Sequence, residues 1–206
     1  MQVAQKIADA MGKKLLIEKM EWDGLIPALT SGKIDLIIAG MSPTEERRAS
    51  IDFSEVYYVS DLVMVVRKDG AYAQAASLEE FSGAKVTGQL NTFHYTVIDQ
   101  IAGVEKQTAM EDFPTMIVAL QSGKIDGYVS ERPGAMSAQL SNPDLTYVVF
   151  DEGKGFDYSV EEGSIAVGLK KGSELTDKVN EALAAISEEE RQSMMENAIA
   201  HQPAAE

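Results

Sequence analysis

The chain has no cysteine, and that absence excludes disulfides, thiolate-bound zinc and thiol catalysis together. Histidine is almost as scarce: only His94 and His201 are present, far apart in the sequence, so a histidine-based metal site is not expected. No apolar run approaches the roughly 18 residues that a membrane-spanning helix needs. Positive charge is thin as well, with 18 Lys and Arg against 33 Asp and Glu, for a formal net charge of −15. Phosphate backbones and anionic lipid surfaces are poor partners for such a chain. A secretory leader is also missing, because Met1 opens directly onto a helical pattern. Either the protein is cytoplasmic or a leader has been removed, and the motifs below favour removal. What remains, 45% apolar and 25% charged, is ordinary for a folded globular protein.

The strongest positive signal is an internal repeat. LIPALTSGKID, from Leu25 to Asp35, recurs as MIVALQSGKID, from Met116 to Asp126, with eight of eleven positions identical at an offset of 91. Each copy has apolar residues at helical spacing, then Ser-Gly, then a short link into an apolar run. Gly32 and Gly123 are suited to the left-handed conformation that closes a helix. Two equivalent α/β units follow from this, each alternating helices with strands, and mainly parallel sheets are expected.

The flanking sequence agrees. Val3, Ile7 and Met11 mark a helix closed by Gly12, and Leu15, Leu16 and Ile17 predict a strand. Asp23 is expected to cap the next helix, and Leu36, Ile37 and Ile38 form the strand after it. In the second half, Lys85, Val86 and Thr87 read as a strand. Thr92 is expected to cap a helix reaching Ile101, Gly103 closes it, and Asp112 starts the repeat helix. Near the C-terminus a helix follows Ser173, and Ser187 with Glu190 makes a capping box for a last one. The expected architecture is two lobes, 1–66 with 164–206 and 67–163. They are joined by two crossing strands near 63–67 and 157–164 that act as a hinge.

Ligands of open α/β sheets bind at the carboxyl ends of the strands. After the first repeat's strand comes AGMSPTEER, where Ser42 reads as an N-cap, Pro43 as the first helical residue and Glu45 as the rest of a capping box. Arg47, one turn on, either grips a ligand carboxylate with two parallel hydrogen bonds or is a solvated residue of EERR. After the second repeat's strand, Glu131 either holds a ligand ammonium or pairs locally with Arg132. One lobe thus offers a cation and the other an anion, the complement of a free amino acid. Trp22, the only tryptophan, either stacks on a ligand side chain or packs in the core. Asn91, Thr92 and Phe93 follow a strand end, where Thr92 either adds donors or merely caps its helix. His94 reads as a helix-surface residue.

These residues carry a family resemblance. The stretches WDGLIPALTSGKIDLIIAGMSPTEERRASIDFSEVY, SGKIDGYVSERPGA and IAVGLKKGSELTDKVNEAL resemble the amino-acid-binding proteins of ABC transporters, the family-3 extracytoplasmic solute-binding proteins. The likeness covers essentially the whole chain. It implies a type II periplasmic-binding-protein-like fold, two mainly parallel lobes flanked by helices, that closes on a free amino acid and delivers it to a membrane permease, outside the cytoplasm and without a cofactor. It further implies that Arg47 takes the α-carboxylate, helped by Gly40, Met41, Ser42 and Thr92, that Glu131 takes the α-ammonium, and that Trp22 packs on the side chain. Asn91 and Phe93 would shape the pocket, where relatives often carry smaller residues, and Glu131 stands where many relatives have aspartate. Relatives carry a first strand ahead of the point where this chain starts, so exposed strand edges are expected, completed by a homodimer or a swapped strand.

Two other functions share the scaffold. A cyclohexadienyl dehydratase-like enzyme would use Glu131 as a general acid, but no nucleophile–base pair or metal cluster supports it. A ligand-sensing receptor domain would need a membrane segment that the sequence does not offer. A polar or basic amino acid is the expected ligand, given the acidic chain and Trp22.

Overall fold

The computed structural model describes residues 1–200, and along them the chain forms two units. Unit 1 is Met1–Val59 with Ser159–Glu196, and unit 2 is built on Ser60–Tyr158. Unit 1 begins with helix α1 (Gln2–Ala10), which buries Ile7 and Ala8. A 3-10 turn, Trp22–Gly24, leads into α2 (Leu25–Ser31), strand β1 (Leu36–Ile37), α3 (Glu45–Ser50), β2 (Ile51–Phe53) and β3 (Tyr58–Val59).

Unit 2 contains β4 (Leu62–Arg67), β5 (Lys85–Thr87), α4 (Phe93–Thr96), β6 (Glu105–Lys106) and α5 (Phe113–Gln121). It continues with β7 (Gly127–Glu131), α6 (Arg132–Ser141) and β8 (Leu145–Val148). The chain then supplies β9 (Ser164–Ile165), β10 (Gly168–Lys170) and α7 (Thr176–Ala184) to unit 1, before α8 (Glu188–Ala200).

The sheets are mixed, where mainly parallel ones were expected. Unit 1 has β1-β10-β2 and the pair β3-β9, all antiparallel, because the returning C-terminal strands run against the earlier ones. In unit 2 the order is β6-β5-β7-β4-β8. There β5 lies parallel to β6 and β7, while β4 runs antiparallel to β7 and β8. The segment 63–67, expected as a crossing, is therefore an inner strand of unit 2.

The sequence LVMVVR of β4 explains the core of that unit. Successive side chains of a strand point to opposite faces. Leu62, Met64 and Val66 enter one apolar cluster with Phe81, Val86 and Ile98, and Val63 and Val65 enter another with Met116, Leu120 and Tyr128. A strand covered on both faces reads as an unbroken apolar run. Unit 1 is built on two smaller clusters. One joins Ile7 to Val167, Leu169, Val179 and Leu183. The other joins Leu29, Ile37, Met41, Ile51 and Phe53. Each side chain so buried contributes roughly 1.5–3 kcal/mol.

Several local expectations change. Leu15, Leu16 and Ile17 form no strand, because no neighbouring strand pairs with them, and Leu16 and Ile17 stay 72% and 59% exposed. Gly24, not Asp23, is the N-cap of α2, since Asp23 is taken up in the 3-10 turn. The helix after Thr92 is short, continuing as a 3-10 turn to Gln100. Asp112 does cap α5, accepting the Thr115 N–H at 2.7 Å, and the Ser187 hydroxyl accepts the Glu190 N–H at 3.2 Å. No described helix is long and apolar enough to cross a membrane.

Candidate functional site

In unit 1 the relevant residues follow β1. Gly40 has a φ of 69°, a left-handed turn that glycine adopts without strain, and it redirects the chain as β1 ends. Met41 then drops into the core at 1% exposure, and its carbonyl accepts the Ala166 N–H at 3.1 Å. Its side chain is spent on packing, so any role in binding belongs to its backbone. Ser42 is 2% exposed and its hydroxyl donates to the Glu162 carbonyl at 2.7 Å. It is not the helix cap that the sequence suggested. That role passes to Thr44, whose hydroxyl accepts the Arg47 N–H at 3.4 Å, and the helix starts at Glu45 instead of Pro43.

Arg47 is not an ordinary member of a charged run. Glu45, Glu46 and Arg48 are exposed, whereas Arg47 is half-buried. Its Nη1 donates to the Ser42 carbonyl at 3.0 Å, and its Cζ lies 5.4 Å from the centre of the Trp22 ring. A guanidinium stacked on an indole gains electrostatically from the ring face, and the hydrogen bond fixes its direction. Of the two roles the sequence offered Trp22, core packing is the one seen, and a contact it did not suggest accompanies it. The indole packs against the cluster of Leu29 and Ile37 and also carries Arg47. Trp22, Ser42 and Arg47 thus form one connected assembly.

In unit 2, Glu131 ends β7 and is the N-cap residue of α6. Its partner in register is Leu62, so the start of β4 lies beside it. The Leu62 N–H donates to the Tyr158 hydroxyl oxygen at 3.3 Å. Burial first, and then the carboxylates of Asp61 and Glu131, raise the Tyr158 phenol above its ordinary value, against the lowering effect of the Leu62 N–H. The phenol therefore stays protonated at neutral pH. On the other side of Glu131 stands His94, with Nε2 3.9 Å from Oε1. His94 is 7% exposed, which corrects the expectation of a helix-surface residue. The short helix turns it inward between Phe93, at 4.7 Å between ring centres, and Phe113, at 6.5 Å.

The remaining expected residues of unit 2 divide. Asn91 is exposed with a φ of 56°, a left-handed position that asparagine tolerates. Thr92 is the N-cap residue of α4 without a side-chain capping bond, because its hydroxyl donates to the Gln89 carbonyl at 2.8 Å. Phe93 stacks obliquely on Tyr158, with centres 5.9 Å apart, and so lines the same neighbourhood as Glu131. An open pocket of about 500 Å³ adjoins it, lined by Asp61, Leu62, Phe150, Phe156, Asp157 and Tyr158 among others. Among the described residues no group of three His, Asp or Glu is placed to hold a metal ion.

Sequence reasoning missed Asp61, His94 and Tyr158. Asp61 had a signal, its place directly before the apolar run of β4, but Tyr158 had none. What the two units offer chemically is simple: a guanidinium pre-oriented on an indole in one, and a carboxylate with a phenol and an imidazole near it in the other.

The chain is similar to known proteins over most of its length. The model of the bacterial extracellular solute-binding proteins, family 3, matches residues 1–198. The arginine-binding extracellular protein ArtP of Bacillus subtilis is 30% identical over 187 residues, 88% of this chain and 69% of that protein. A probable histidine-binding protein of Campylobacter jejuni is 33% identical over 160 residues, 77% of this chain and 61% of that protein. The chain thus spans about two thirds of the length of these relatives. Among solved structures, an amino acid ABC transporter substrate-binding protein from Streptococcus pneumoniae bound to L-arginine superimposes with a TM-score of 0.85 at 29% identity, covering 97% of this chain and 81% of that one. An ancestral arginine-binding protein bound to arginine gives 0.78 at 32% identity, covering 95% and 85%.

Proposed function

The chain belongs to the bacterial extracellular solute-binding proteins of family 3, and from that premise we propose that it binds a free amino acid, polar or basic, outside the cytoplasm, closes its lobes on it and delivers it to an ABC transporter permease. Binding, not chemical conversion, is its activity. The observation that supports this reading is that the segment following each copy of the repeat carries a group of opposite charge, Arg47 in the helix after β1 and Glu131 at the end of β7. Arg47, following β1, takes the α-carboxylate. Its fork donates two parallel hydrogen bonds, and Trp22 with the Ser42 carbonyl holds it ready. Gly40, Met41, Ser42 and Thr92 assist through backbone groups, and Asn91 and Phe93 bound the side-chain space. Glu131, ending β7, takes the α-ammonium. The carboxylate of Asp61, close enough to act on the same phenol, favours a ligand with a second positive charge. A second copy of the chain, or an exchanged strand, would cover the exposed Leu16 and Ile17.

Each charge-assisted hydrogen bond contributes about 1.5–3 kcal/mol, so several support micromolar affinity, about −8 kcal/mol. A thermal-shift screen of the twenty amino acids with ornithine, citrulline and cystine tests the reading, since a ligand bound only by the folded state raises the melting temperature. One or a few related amino acids should stabilise the protein, and Arg47→Ala should weaken binding by roughly 10- to 150-fold. A folded protein that no amino acid stabilises would overturn the proposal.

A further inference from the structure

Neither Arg47 nor Glu131 lines the pocket beside Tyr158, which lies wholly within unit 2. Its volume of about 500 Å³ is in the range that holds a small organic molecule. The inner wall is aromatic. Phe156 is 9% exposed and meets Phe150 edge to face, with ring centres 5.5 Å apart at 86°. Phe150 meets Phe81 in the same manner at 6.1 Å, and Tyr158 leans on Phe93. The rim is acidic: Asp61, Asp151 and Asp157 all line the pocket and are exposed.

The loop that carries most of this lining is braced from outside. Gln100 clamps the Asp157 backbone both ways, its Nε2 donating to the carbonyl at 2.6 Å and its Oε1 accepting the N–H at 2.7 Å. The Asp151 N–H donates to the Ala76 carbonyl at 3.0 Å, and the Leu78 N–H donates to the Lys154 carbonyl at 3.1 Å. The rim nevertheless lacks a counter-charge. Among the described residues no Lys, Arg or His lines the pocket, and none of its three carboxylates belongs to an ion pair. Carboxylates gathered around an apolar hollow attract a cation, and aromatic rings accept one on their faces. Among the described residues no three acidic groups converge as metal ligands do, so the charge that fits is carried on a larger body.

We propose that this pocket binds an organic cation, a guanidinium or ammonium group on an apolar stem, at a site separate from the amino-acid grip. The stem lies against Phe150 and Phe156, and the cationic end meets Asp151 and Asp157. Asp61, near enough to act on the Tyr158 phenol, adds to the negative field at the rim. The inference goes beyond amino-acid binding and does not depend on it.

The probe is agmatine, which carries a guanidinium and an ammonium on a four-carbon stem and has no carboxylate to offer Arg47. Followed by amide NMR at neutral pH, it should shift Gly153 and Gly155, both in the pocket lining, more than Gly40 in unit 1. Asp151→Asn combined with Asp157→Asn should weaken agmatine binding about fivefold or more, since exposed ion pairs each contribute roughly 1.5- to 5-fold. Asp157→Lys, which reverses the charge, should weaken it further. Both variants alter exposed side chains, so each should keep the urea midpoint and any stabilisation by an amino acid. Agmatine that fails to saturate by about 10 mM, or that binds the double variant as tightly as the unaltered protein, overturns the inference. Binding lost in Glu131→Gln but kept in Asp157→Lys overturns it too, by placing the cation in the amino-acid grip. If agmatine shifts these glycines and no amino acid stabilises the protein, the pocket stands and the amino-acid reading falls.

Discussion

In unit 1 the strand that follows the repeat helix, β1, is two residues long and pairs with β10 alone. In unit 2 its counterpart, β7, runs five residues and is held on both sides, by β5 and β4. Up to that point the copies are nearly superposable in their bonding. Gly32 and Lys33 donate to Leu29 and Ala28 at 3.1 and 2.9 Å, and Gly123 and Lys124 donate to Leu120 and Ala119 at 3.1 and 2.9 Å. The helix stop is written in the local chain, in a glycine free to turn left-handed. The strand's extent is decided by what lies beside it, and no identity within the repeat controls that.

A second difference follows Asp35 and Asp126, the last residues of the two copies. Asp35 is exposed. Asp126 accepts from the Lys85 N–H at 3.0 Å and from Arg67 at 3.2 Å, while Arg67 also donates to the Leu120 and Ile125 carbonyls at 2.7 and 2.8 Å. One arginine thus ties the end of α5 to two strands. Arg67→Ala should cost about 1–3 kcal/mol, from carbonyls and a carboxylate left without their donor. Asp35→Ala should stay within ~0.5 kcal/mol, both read by far-UV ellipticity in urea. Equal losses would remove the distinction between the copies.

The glycines sharpen the likeness. A Cβ at Gly32 or Gly123 would meet nothing within 4 Å, yet the φ angles are +78° and +75°. Alanine at either therefore incurs only the left-handed penalty, about 1–2 kcal/mol. The two variants should lower the urea midpoint by matching amounts, and a disparity would show that the surroundings, too, govern the stop.

The smallest effect is electrostatic. In unit 1 the Gly172 N–H and then Lys171 hold the Asp52 carboxyl below its ordinary 3.8, and in unit 2 Thr115 does the same for Asp112. A carboxyl lowered by folding adds stability that is complete above its unfolded value and is lost as pH falls through the folded one. Both groups are largely solvated, so each contributes well under ~1 kcal/mol. Between pH 6 and pH 3 the urea midpoint should fall, and Asp52→Asn or Asp112→Asn should each reduce that fall slightly. An unaltered fall in both variants would assign the acid sensitivity elsewhere.

How much of this was legible follows the same division. The repeat, its left-handed glycines, the Asp112 cap and the prominence of Arg47 and Glu131 all rest on chemistry within a few residues, and sequence carries that. The strand expected at Leu15 to Ile17 failed because a strand exists only with a partner. The cap moved from Ser42 to Thr44 because the Ser42 hydroxyl is claimed by Glu162, 120 positions away. His94 was misplaced because so short a helix has too little periodicity to show which side is buried, and what it faces arrives from β7. Tyr158 reaches Leu62 across 96 positions, with no spacing to announce it.

Trp22 gives the molecule a property of another kind. The chain's single indole sits over the guanidinium of Arg47, 5.4 Å away. Indole emission responds in colour and intensity to a charge so near, so neutralising or shifting that cation changes the light the protein gives off. The protein carries a built-in optical gauge at that position, legible in a fluorimeter without a dye and without a background from other tryptophans.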